Sequence, residues 1–345
     1  MITKLALVLL AAWVAFSLPG CIERAGSPQG NSNTGKVSSV SGAERNPGSP
    51  QLPCDKKSSA GGYRLIARKD YPYGSGPDDF GIERGVPPDA CGGFSAGGPE
   101  GNLYVLDLVN RNVKVLRKAD AALVKVVKLP AEVMGEGSGL PWNVDIAVDK
   151  DGVIYVLAAA AGRVQVVAFD DTGKVLSVRP FPEGSSPIKT REGRVVVAKG
   201  DQGWDCSFAG CRYRIEIKGN GREAVEFSRF EGSSRTGLGR YRVAGGEEAI
   251  ASAGLIGEDR SGNAYVWVQV EKPPLRPESP GPPKDVRLGV LKFSEKGKLL
   301  DILFVPEDDY FAMYIPKFFD VGQDGTIYQV IPAEKRLKVR IWALR

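Results

Sequence analysis

Histidine is absent from the whole chain of 345 residues. Its absence excludes an imidazole general base, a Ser-His-Asp triad and histidine metal ligands. The chemistry that remains is carboxylate catalysis or a metal ion held by oxygen ligands. The sequence therefore assigns no catalytic residue.

Blocks of like charge are also missing. The 46 basic and 41 acidic residues are interleaved and give a formal charge of +5. A nucleic-acid surface needs clustered lysine and arginine, so this distribution argues against a nucleic-acid partner. A sustained helical period is absent as well, which excludes a helical solenoid.

Long apolar runs are lacking except for one, Leu5 to Ser17, which follows Lys4 and precedes Leu18-Pro-Gly-Cys21. A charged start, a short apolar stretch and small residues before a cut site are typical of a secretory signal peptide. A retained membrane anchor is the alternative, but it needs roughly 20 apolar residues. The Leu-x-Gly-Cys ending resembles the lipobox of bacterial lipoproteins, and this resemblance implies cleavage after residue 20 and lipidation of Cys21.

The same resemblance implies a location outside the cytoplasm, with the membrane contacted through lipid on Cys21. Ile22 stands where an aspartate often marks inner-membrane retention, so the outer membrane is favoured. Residues 1–20 carry only Lys4 among the charged residues, and their removal lowers the formal charge from +5 to +4.

Cysteine is scarce, and four cysteines remain beyond Cys21: Cys54, Cys91, Cys206 and Cys211. Four cysteines allow three pairings. The short Cys206 to Cys211 spacing favours a bridge that closes a tight loop, which leaves Cys54 to pair with Cys91. A metal site or reactive thiols are the alternative, although the paired Cys-x-x-Cys spacing of a zinc site is absent.

Residues 21–59 are rich in Gly, Ser, Asn and Pro and contain no aromatic residue. Such a segment cannot bury enough apolar surface to order itself. As a flexible coil it has a root-mean-square reach of roughly 30 to 35 Å. We therefore expect a tether that joins the lipid to a folded domain over residues 60–345.

A short motif repeats through that domain. A turn glycine followed by an apolar run, usually with tyrosine, occurs at Gly101-Asn-Leu-Tyr-Val-Leu-Asp107, Gly152-Val-Ile-Tyr-Val-Leu157, Gly193-Arg-Val-Val-Val197, Gly262-Asn-Ala-Tyr-Val-Trp267 and Gly325-Thr-Ile-Tyr-Gln-Val330. Each copy predicts a reverse turn followed by a strand. Alternating apolar runs after each copy predict further half-buried strands in antiparallel units.

Repeated four-stranded units predict an all-β fold, the β-propeller. The motif gives five blades, and a sixth needs a degenerate copy between Phe230 and Gly254. Uneven spacing implies insertions at 206–211, 232–246 and 273–283. The last copy ends at its third strand, so Tyr63-Arg-Leu-Ile-Ala-Arg68 is predicted to complete that blade and close the ring.

Three stretches resemble the NHL-repeat and SMP-30-like six-bladed propellers: Tyr73-Gly-Ser-Gly-Pro-Asp-Asp-Phe-Gly-Ile82, Asn143-Val-Asp-Ile-Ala-Val-Asp-Lys-Asp-Gly-Val-Ile-Tyr-Val156 and Arg163-Val-Gln-Val-Val-Ala-Phe169. The resemblance covers about residues 63–345. It implies a propeller that serves as an extracellular binding module or as a metal-dependent lactonase.

The lactonase alternative implies a divalent cation such as calcium, held by side-chain oxygens near the central channel. The candidate ligands are Asn143, Asp145, Asp259 and Asp320. Turn formation and strand-end capping offer a plainer role for these side chains. The binding reading implies no cofactor.

Binding-face candidates are aromatic and acidic residues in loops, because aromatic residues concentrate in binding patches. They are Tyr73, Asp78, Asp79, Trp142 and Trp204. Linking and packing roles are the alternative for each. The sequence favours a lipid-tethered binding module for a protein or cell-envelope ligand, with the metal-dependent hydrolase second.

Overall fold

The computed structural model describes residues 62–81, 93–130, 145–160, 163–180, 185–189, 192–199, 206–208, 211–219, 222–231, 234–243, 248–272, 284–306, 317–333 and 335–345. The chain divides into two compact units, Met1–Cys54 and Asp55–Arg345. Every described residue belongs to the second unit. Within the described residues all regular secondary structure is β.

The described residues form 22 strands. The first eleven are β1 (Tyr63–Pro72), β2 (Phe94–Gly97), β3 (Asn102–Asp107), β4 (Asn112–Leu116), β5 (Leu123–Lys128), β6 (Asp145–Val148), β7 (Ile154–Ala160), β8 (Arg163–Phe169), β9 (Val175–Pro180), β10 (Ser185–Lys189) and β11 (Val195–Lys199). The others are β12 (Cys206–Phe208), β13 (Cys211–Lys218), β14 (Ala224–Glu231), β15 (Ser234–Arg242), β16 (Ala249–Glu258), β17 (Ala264–Lys272), β18 (Lys284–Phe293), β19 (Leu299–Phe304), β20 (Phe319–Val321), β21 (Ile327–Pro332) and β22 (Arg336–Leu344).

These strands make six antiparallel sheets, which we number as blades in chain order. Blades 1, 2, 4 and 5 are the four-stranded sheets β2–β5, β6–β9, β12–β15 and β16–β19, whereas blade 3 holds only β10 and β11. Blade 6 has the order β20, β21, β22, β1. The predicted β-propeller of four-stranded antiparallel blades is confirmed.

The blades follow one another around a ring. The first strands of neighbouring blades contact each other in the pairs β2 with β6, β6 with β10, β16 with β20 and β20 with β2. Contacts of β11 with β12 and of β13 with β16 join the remaining neighbours. The first strands of blades 1, 2, 3, 5 and 6 therefore lie innermost, and β10 of blade 3 also contacts β16 of blade 5. Blade 4 is joined to its neighbours through the β11–β12 and β13–β16 contacts.

The ring is closed by the strand from the start of the domain. β1 pairs antiparallel with β22 from Tyr63 opposite Leu344 to Pro72 opposite Arg336. Beyond the strand, the Arg345 backbone N–H donates to the Gly62 carbonyl at 2.8 Å. The predicted completion of the last blade is therefore confirmed.

The repeated motif is a turn between the first and second strands of a blade. The Gly152 N–H donates to the Asp149 carbonyl, and the Gly262 N–H donates to the Asp259 carbonyl. Each of these glycines has a positive φ, 87° at Gly152 and 76° at Gly262, which a residue with a Cβ rarely adopts. The motif glycine is thus fixed by backbone geometry.

Apolar side chains fill the wedges between neighbouring blades. Phe227 of blade 4 stacks on Phe293 of blade 5 with ring centroids 5.1 Å apart. Val113 of blade 1 and Val156 of blade 2 share another fully buried cluster. Burying one such side chain contributes about 1.5–3 kcal/mol, so blade-to-blade packing holds the ring together.

Two sequence expectations need correction. The sixth sheet is β12–β15 and lies largely before the 230–254 interval. Its copy of the motif, Gly210-Cys-Arg-Tyr213, keeps the glycine-tyrosine spacing but has Arg212 and Arg214 at positions that are mostly apolar in the other copies, so it was not recognised from the sequence. Residues Cys206–Phe208, Cys211–Lys218 and Ser234–Arg242 are strands of that sheet, where the sequence suggested insertions. The predicted proline-rich insertion at 273–283 lies outside the described residues.

We expect Asp70→Ala to destabilise the closing blade. Arg340 is fully buried, and its Nη1 donates to Asp70 Oδ1 at 2.9 Å across the β1–β22 pair. Removing the carboxylate leaves a buried cation without this partner and should cost about 2 kcal/mol in the free energy of unfolding. Chemical denaturation measures the effect. Asp120→Ala, which breaks an exposed pair with Arg117, is the control and should not change stability; equal effects would contradict the closing role.

Candidate functional site

The inner strands begin at one end of the ring and turn at the other, so the two ends carry different parts of the chain. The inner strands β2, β6 and β20 begin at one end with Phe94, Asp145 and Phe319, and their following turns lie at the other end. We call the first end the mouth. Residues at the strand ends of a rigid scaffold commonly take part in binding.

A lysine, a carboxylate and an aromatic ring from three blades meet at the mouth. Lys317 precedes β20, and its Nζ lies 3.5 Å from Asp145 Oδ1 and 3.2 Å from the Ile146 carbonyl oxygen. The same ammonium group lies 5.6 Å from the centroid of the Phe94 ring. We call Phe94, Asp145 and Lys317 the mouth cluster.

The mouth cluster is partly open to solvent. The side chains of Lys317 and Asp145 are 24% and 20% exposed. Gly93 allows the close approach of the aspartate, because a Cβ at Gly93 would lie 2.4 Å from Asp145 Oδ1. Phe94 is buried, so the cluster offers a ligand one cation and one carboxylate, and the ring supports the lysine from inside.

An aromatic pair lies next to Lys317, between blades 5 and 6. Phe318 follows Lys317 and packs edge-on against Trp267 of β17, with ring centroids 5.3 Å apart and an interplanar angle of 66°. Both side chains are half-buried. They fill part of the wedge between blades 5 and 6, so their first role is to position the segment that carries Lys317.

The carboxylates proposed as metal ligands have three different settings. Asp145 lies in the mouth cluster, whereas Asp320 is buried in β20 and its Oδ2 accepts the Ala96 N–H of β2 at 2.6 Å. Asp259 lies after the end of β16 and accepts the N–H groups of Ser261 and Asn263. Within the part of the chain that the structure describes, no three Asp, Glu or Cys side chains form a group that could hold a metal ion. Asn143 lies outside the described residues.

Asp320 joins blade 6 to blade 1, whose inner strands β20 and β2 belong to different sheets and do not pair through their backbones. Ser95 does the same one blade further on, because its Oγ accepts the Val148 N–H at 3.1 Å. Both side chains are buried. These bonds satisfy inner-strand N–H groups that would otherwise lose their hydrogen bonds on leaving water.

The binding-face candidates of the first loop are mostly engaged within the domain. The Tyr73 hydroxyl donates to the Ala333 carbonyl at 2.9 Å, and Asp79 Oδ2 accepts the Gly76 N–H at 3.1 Å. Asp78 is exposed. Trp142 and Trp204 lie outside the described residues.

Of the five cysteines, the structure describes the backbone of two, Cys206 and Cys211. Cys21, Cys54 and Cys91 lie outside the described residues. In the β12–β13 hairpin, Cys206 lies opposite Tyr213 and Cys211 lies opposite Phe208, so the two cysteines are not direct cross-strand neighbours. Their pairing stays a prediction.

Lys317 and Phe94 were not among the sequence candidates. Each stands in a short strand region without the repeated motif, and neither belongs to a charge cluster. The one available signal was a lysine placed directly before Phe318-Phe-Asp-Val321, a short apolar strand. Sequence spacing could not show that this lysine reaches Asp145, because 171 residues separate Lys317 from the neighbouring Ile146.

Two tyrosines of the repeat, Tyr265 and Tyr328, are fully buried and donate hydrogen bonds at the turns. The Tyr265 hydroxyl donates to Asp259 Oδ2 at 2.9 Å, and the Tyr328 hydroxyl donates to the Gly101 carbonyl of the next blade. Burial raises the pKa of both tyrosines far above the ordinary value, with Asp259 adding to the effect at Tyr265 and Asp324 at Tyr328.

No helix among the described residues has the length and apolar character required to cross a membrane.

Comparisons with known proteins return distant structural similarity. No family model and no curated protein matches the sequence. A member of the DUF4221 family from Bacteroides vulgatus is 11% identical with a TM-score of 0.42 over 82% of this chain and 98% of its own. The PQQ-bound aldose sugar dehydrogenase from Streptomyces coelicolor is 13% identical with a TM-score of 0.39 over 81% and 97%. A gluconolactonase from Xanthomonas campestris is 15% identical with a TM-score of 0.30 over 73% and 86%. Similarity at this level says nothing about activity.

We expect the buried tyrosines to ionise only when the protein unfolds. Their pKa is raised in the folded state, whereas in the unfolded chain it is about 10. Folding therefore keeps this contribution to stability below about pH 10 and loses it as the pH rises further. Tyrosinate absorbance and circular dichroism, followed together in an alkaline titration, should show Tyr265 and Tyr328 ionising with loss of structure. Full ionisation of all tyrosines in a still folded protein would contradict this.

Proposed function

We propose that this protein is a lipid-anchored extracytoplasmic β-propeller whose mouth binds a protein or cell-envelope ligand. The observation that carries the proposal is the mouth cluster, in which Lys317 and Asp145 from two blades meet at a partly exposed position above the buried Phe94 ring. A partly exposed cation and carboxylate held side by side are suited to recognition of a polar ligand that carries a donor and an acceptor.

The course of the chain is compatible with an open mouth. Inner strands run away from the mouth, and in antiparallel blades the outer strands run back toward it. β1 is the outer strand of blade 6, so it begins near Gly62 at the end opposite the mouth. Gly62, the first described residue, therefore lies at the end of the ring away from the mouth cluster.

The lipid anchor rests on the sequence Leu18-Pro-Gly-Cys21. We expect Cys21→Ala to release the protein from membranes, because the substituted chain lacks the thiol that carries the lipid. Fractionation of the native host with an antibody against the domain measures this. An unchanged membrane fraction, without any labelling of wild type by a radioactive fatty acid, would overturn the anchor.

We expect Lys317→Ala to weaken ligand capture by roughly tenfold, because a charge-assisted contact to a ligand is worth about 1.5–3 kcal/mol. The purified domain, wild type or variant, is cross-linked to envelopes of the native host, and bound material is quantified by mass spectrometry. Arg117→Ala, which changes an exposed pair elsewhere, is the matched control. A partner recovered equally with the Lys317 and Arg117 variants, both correctly folded, would place binding outside the mouth.

A metal-dependent hydrolase of the lactonase type is the second candidate, favoured by the partly exposed Asp145 at the mouth. A divalent cation needs several oxygen ligands, and the described residues supply one carboxylate with the Lys317 ammonium group beside it. The described part of the site therefore does not by itself fit a cation. Calorimetric titration with calcium, using Asp145→Asn as the comparison, separates this candidate from a metal-free binding site.

A further inference from the structure

The outer strands of the blades carry their charge almost entirely as lysine and arginine. Five blades end in a fourth, outer strand, namely β5, β9, β15, β19 and β1. The exposed cations within these strands are Arg64, Arg68, Lys69, Lys125, Lys128, Arg179, Arg235, Arg240 and Arg242. The carboxylates within them are Asp70 and Asp301, and both are half-buried. The charges that are interleaved along the sequence are therefore sorted by the fold, with cations on the outside of the ring.

The two carboxylates of the outer strands are already engaged. Asp70 Oδ1 accepts a hydrogen bond from Arg340 at 2.9 Å, and Asp301 Oδ2 accepts the Gly62 N–H at 3.0 Å. By contrast, Arg64 and Arg68 on β1 are exposed and have no ion-pair partner among the residues that the structure describes. Both guanidinium groups are therefore open to a ligand from outside the domain.

The closing strand β1 lies next to the start of β5, because blades 6 and 1 are neighbours in the ring. The Tyr71 hydroxyl donates to the Ala121 carbonyl in the turn before β5, and Leu123 of β5 packs against the core cluster that contains Tyr71. Arg117 and, after it, Lys69 lower the pKa of Asp120 in the same turn, which shows that Lys69 also lies close to blade 1. The exposed residues of the two strands thus share one side of the ring.

Apolar side chains are exposed among these cations. Leu65 in β1 is 38% exposed, and Val124 and Val126 in β5 are 48% and 38% exposed. We call Arg64, Arg68 and Lys69, with Leu65, Val124 and Val126 beside them, the basic rim. Surfaces that lie on a membrane combine these two features, because the cationic groups reach the lipid headgroups while apolar side chains enter the boundary of the acyl chains.

We infer that the basic rim is a membrane-contact surface, separate from the mouth, that binds the headgroups of anionic lipids. Arg64 and Arg68 suit this role because a guanidinium group can donate two parallel hydrogen bonds to one phosphate. Leu65 and Val124 suit it because they gain by leaving water. The inference rests on the proposed lipid anchor only for its setting, since the anchor keeps the domain near a membrane.

This contact is compatible with ligand binding at the mouth. The outer strands lie on the outside of the ring, whereas the mouth cluster lies at the end where the inner strands begin. A membrane at the basic rim therefore meets the side of the ring and leaves Lys317 and Asp145 open to solvent.

The test uses residues 21–345 with Cys21→Ala, which contain every described residue and carry no lipid. We expect this protein to sediment with vesicles made of equal parts of phosphatidylcholine and phosphatidylglycerol, and not with vesicles of phosphatidylcholine alone. Arg64→Gln combined with Arg68→Gln should weaken binding roughly tenfold or more, because each cation near an anionic surface adds to the attraction. Added salt should weaken binding as well, because it screens exposed charges.

The matched control is Arg235→Gln combined with Arg242→Gln, which removes two exposed cations from the outer strand of blade 4. It makes the same change in net charge and should bind the mixed vesicles as tightly as the unsubstituted protein. Val124→Ser combined with Val126→Ser should weaken binding to the vesicles and leave binding to double-stranded DNA, a polyanion without acyl chains, unchanged. Circular dichroism checks that each variant is folded.

The inference is overturned if the protein binds neither kind of vesicle, if it binds both equally, or if the two arginine pairs have equal effects. Tighter binding to DNA than to the mixed vesicles, with no effect of the valine substitutions, would assign the basic rim to an anionic polymer instead. Lys317→Ala should leave vesicle binding unchanged. The anchor and the mouth are tested by membrane fractionation and by ligand capture, so their failure is distinguishable from failure of the basic rim.

Discussion

The pairing of β1 with β22 is the contact on which the rest of the molecule depends, because it joins the start and the end of the domain within one sheet. The two ends of a ring of sheets are joined by a backbone strand ladder only when one blade contains strands from both ends of the domain. The buried Arg340 and its bond to Asp70 lie within this seam. The mouth cluster includes Lys317, which directly precedes β20 of this same blade, so its geometry depends on the closed blade 6.

Polar side chains on the inner strands have two different roles: the buried ones join neighbouring blades, and the partly exposed ones are available to a ligand. Asp320 and Ser95 are buried and bond to N–H groups of the next inner strand, so their hydrogen-bonding capacity is used to join blades. Asp145 and Lys317 lie at the strand ends, where part of each side chain meets solvent. A partly exposed pair is weakly held by its own attraction, and it can exchange that contact for a ligand at small cost.

The repeat allowed much of the fold to be predicted, because turns and inner-facing residues are set by local geometry. Gly152 and Gly262 show this, since each needs a positive φ that the sequence signals by glycine alone. Blade 4 was misplaced because Arg212 and Arg214 interrupt the apolar run after Gly210 by which the other copies were recognised, although β13 and β14 pair as regularly as the strands of other blades. Of the site, Asp145 was named in advance, whereas Lys317 and Phe94 were not, because their meeting depends on three blades that are far apart in sequence.

The sequence by itself determined the class of the fold, the completion of the last blade by the first strand and the absence of histidine chemistry. These follow from alternation, turn residues and composition, which act over a few residues. Only the tertiary structure decided which side chains meet at the mouth, that Asp259 and Asp320 have separate structural bonds, and that blade 3 stops at β11. The physical reason is that closing the ring places blades 1, 2 and 6 side by side. Residues that are far apart in sequence then meet because their blades are neighbours.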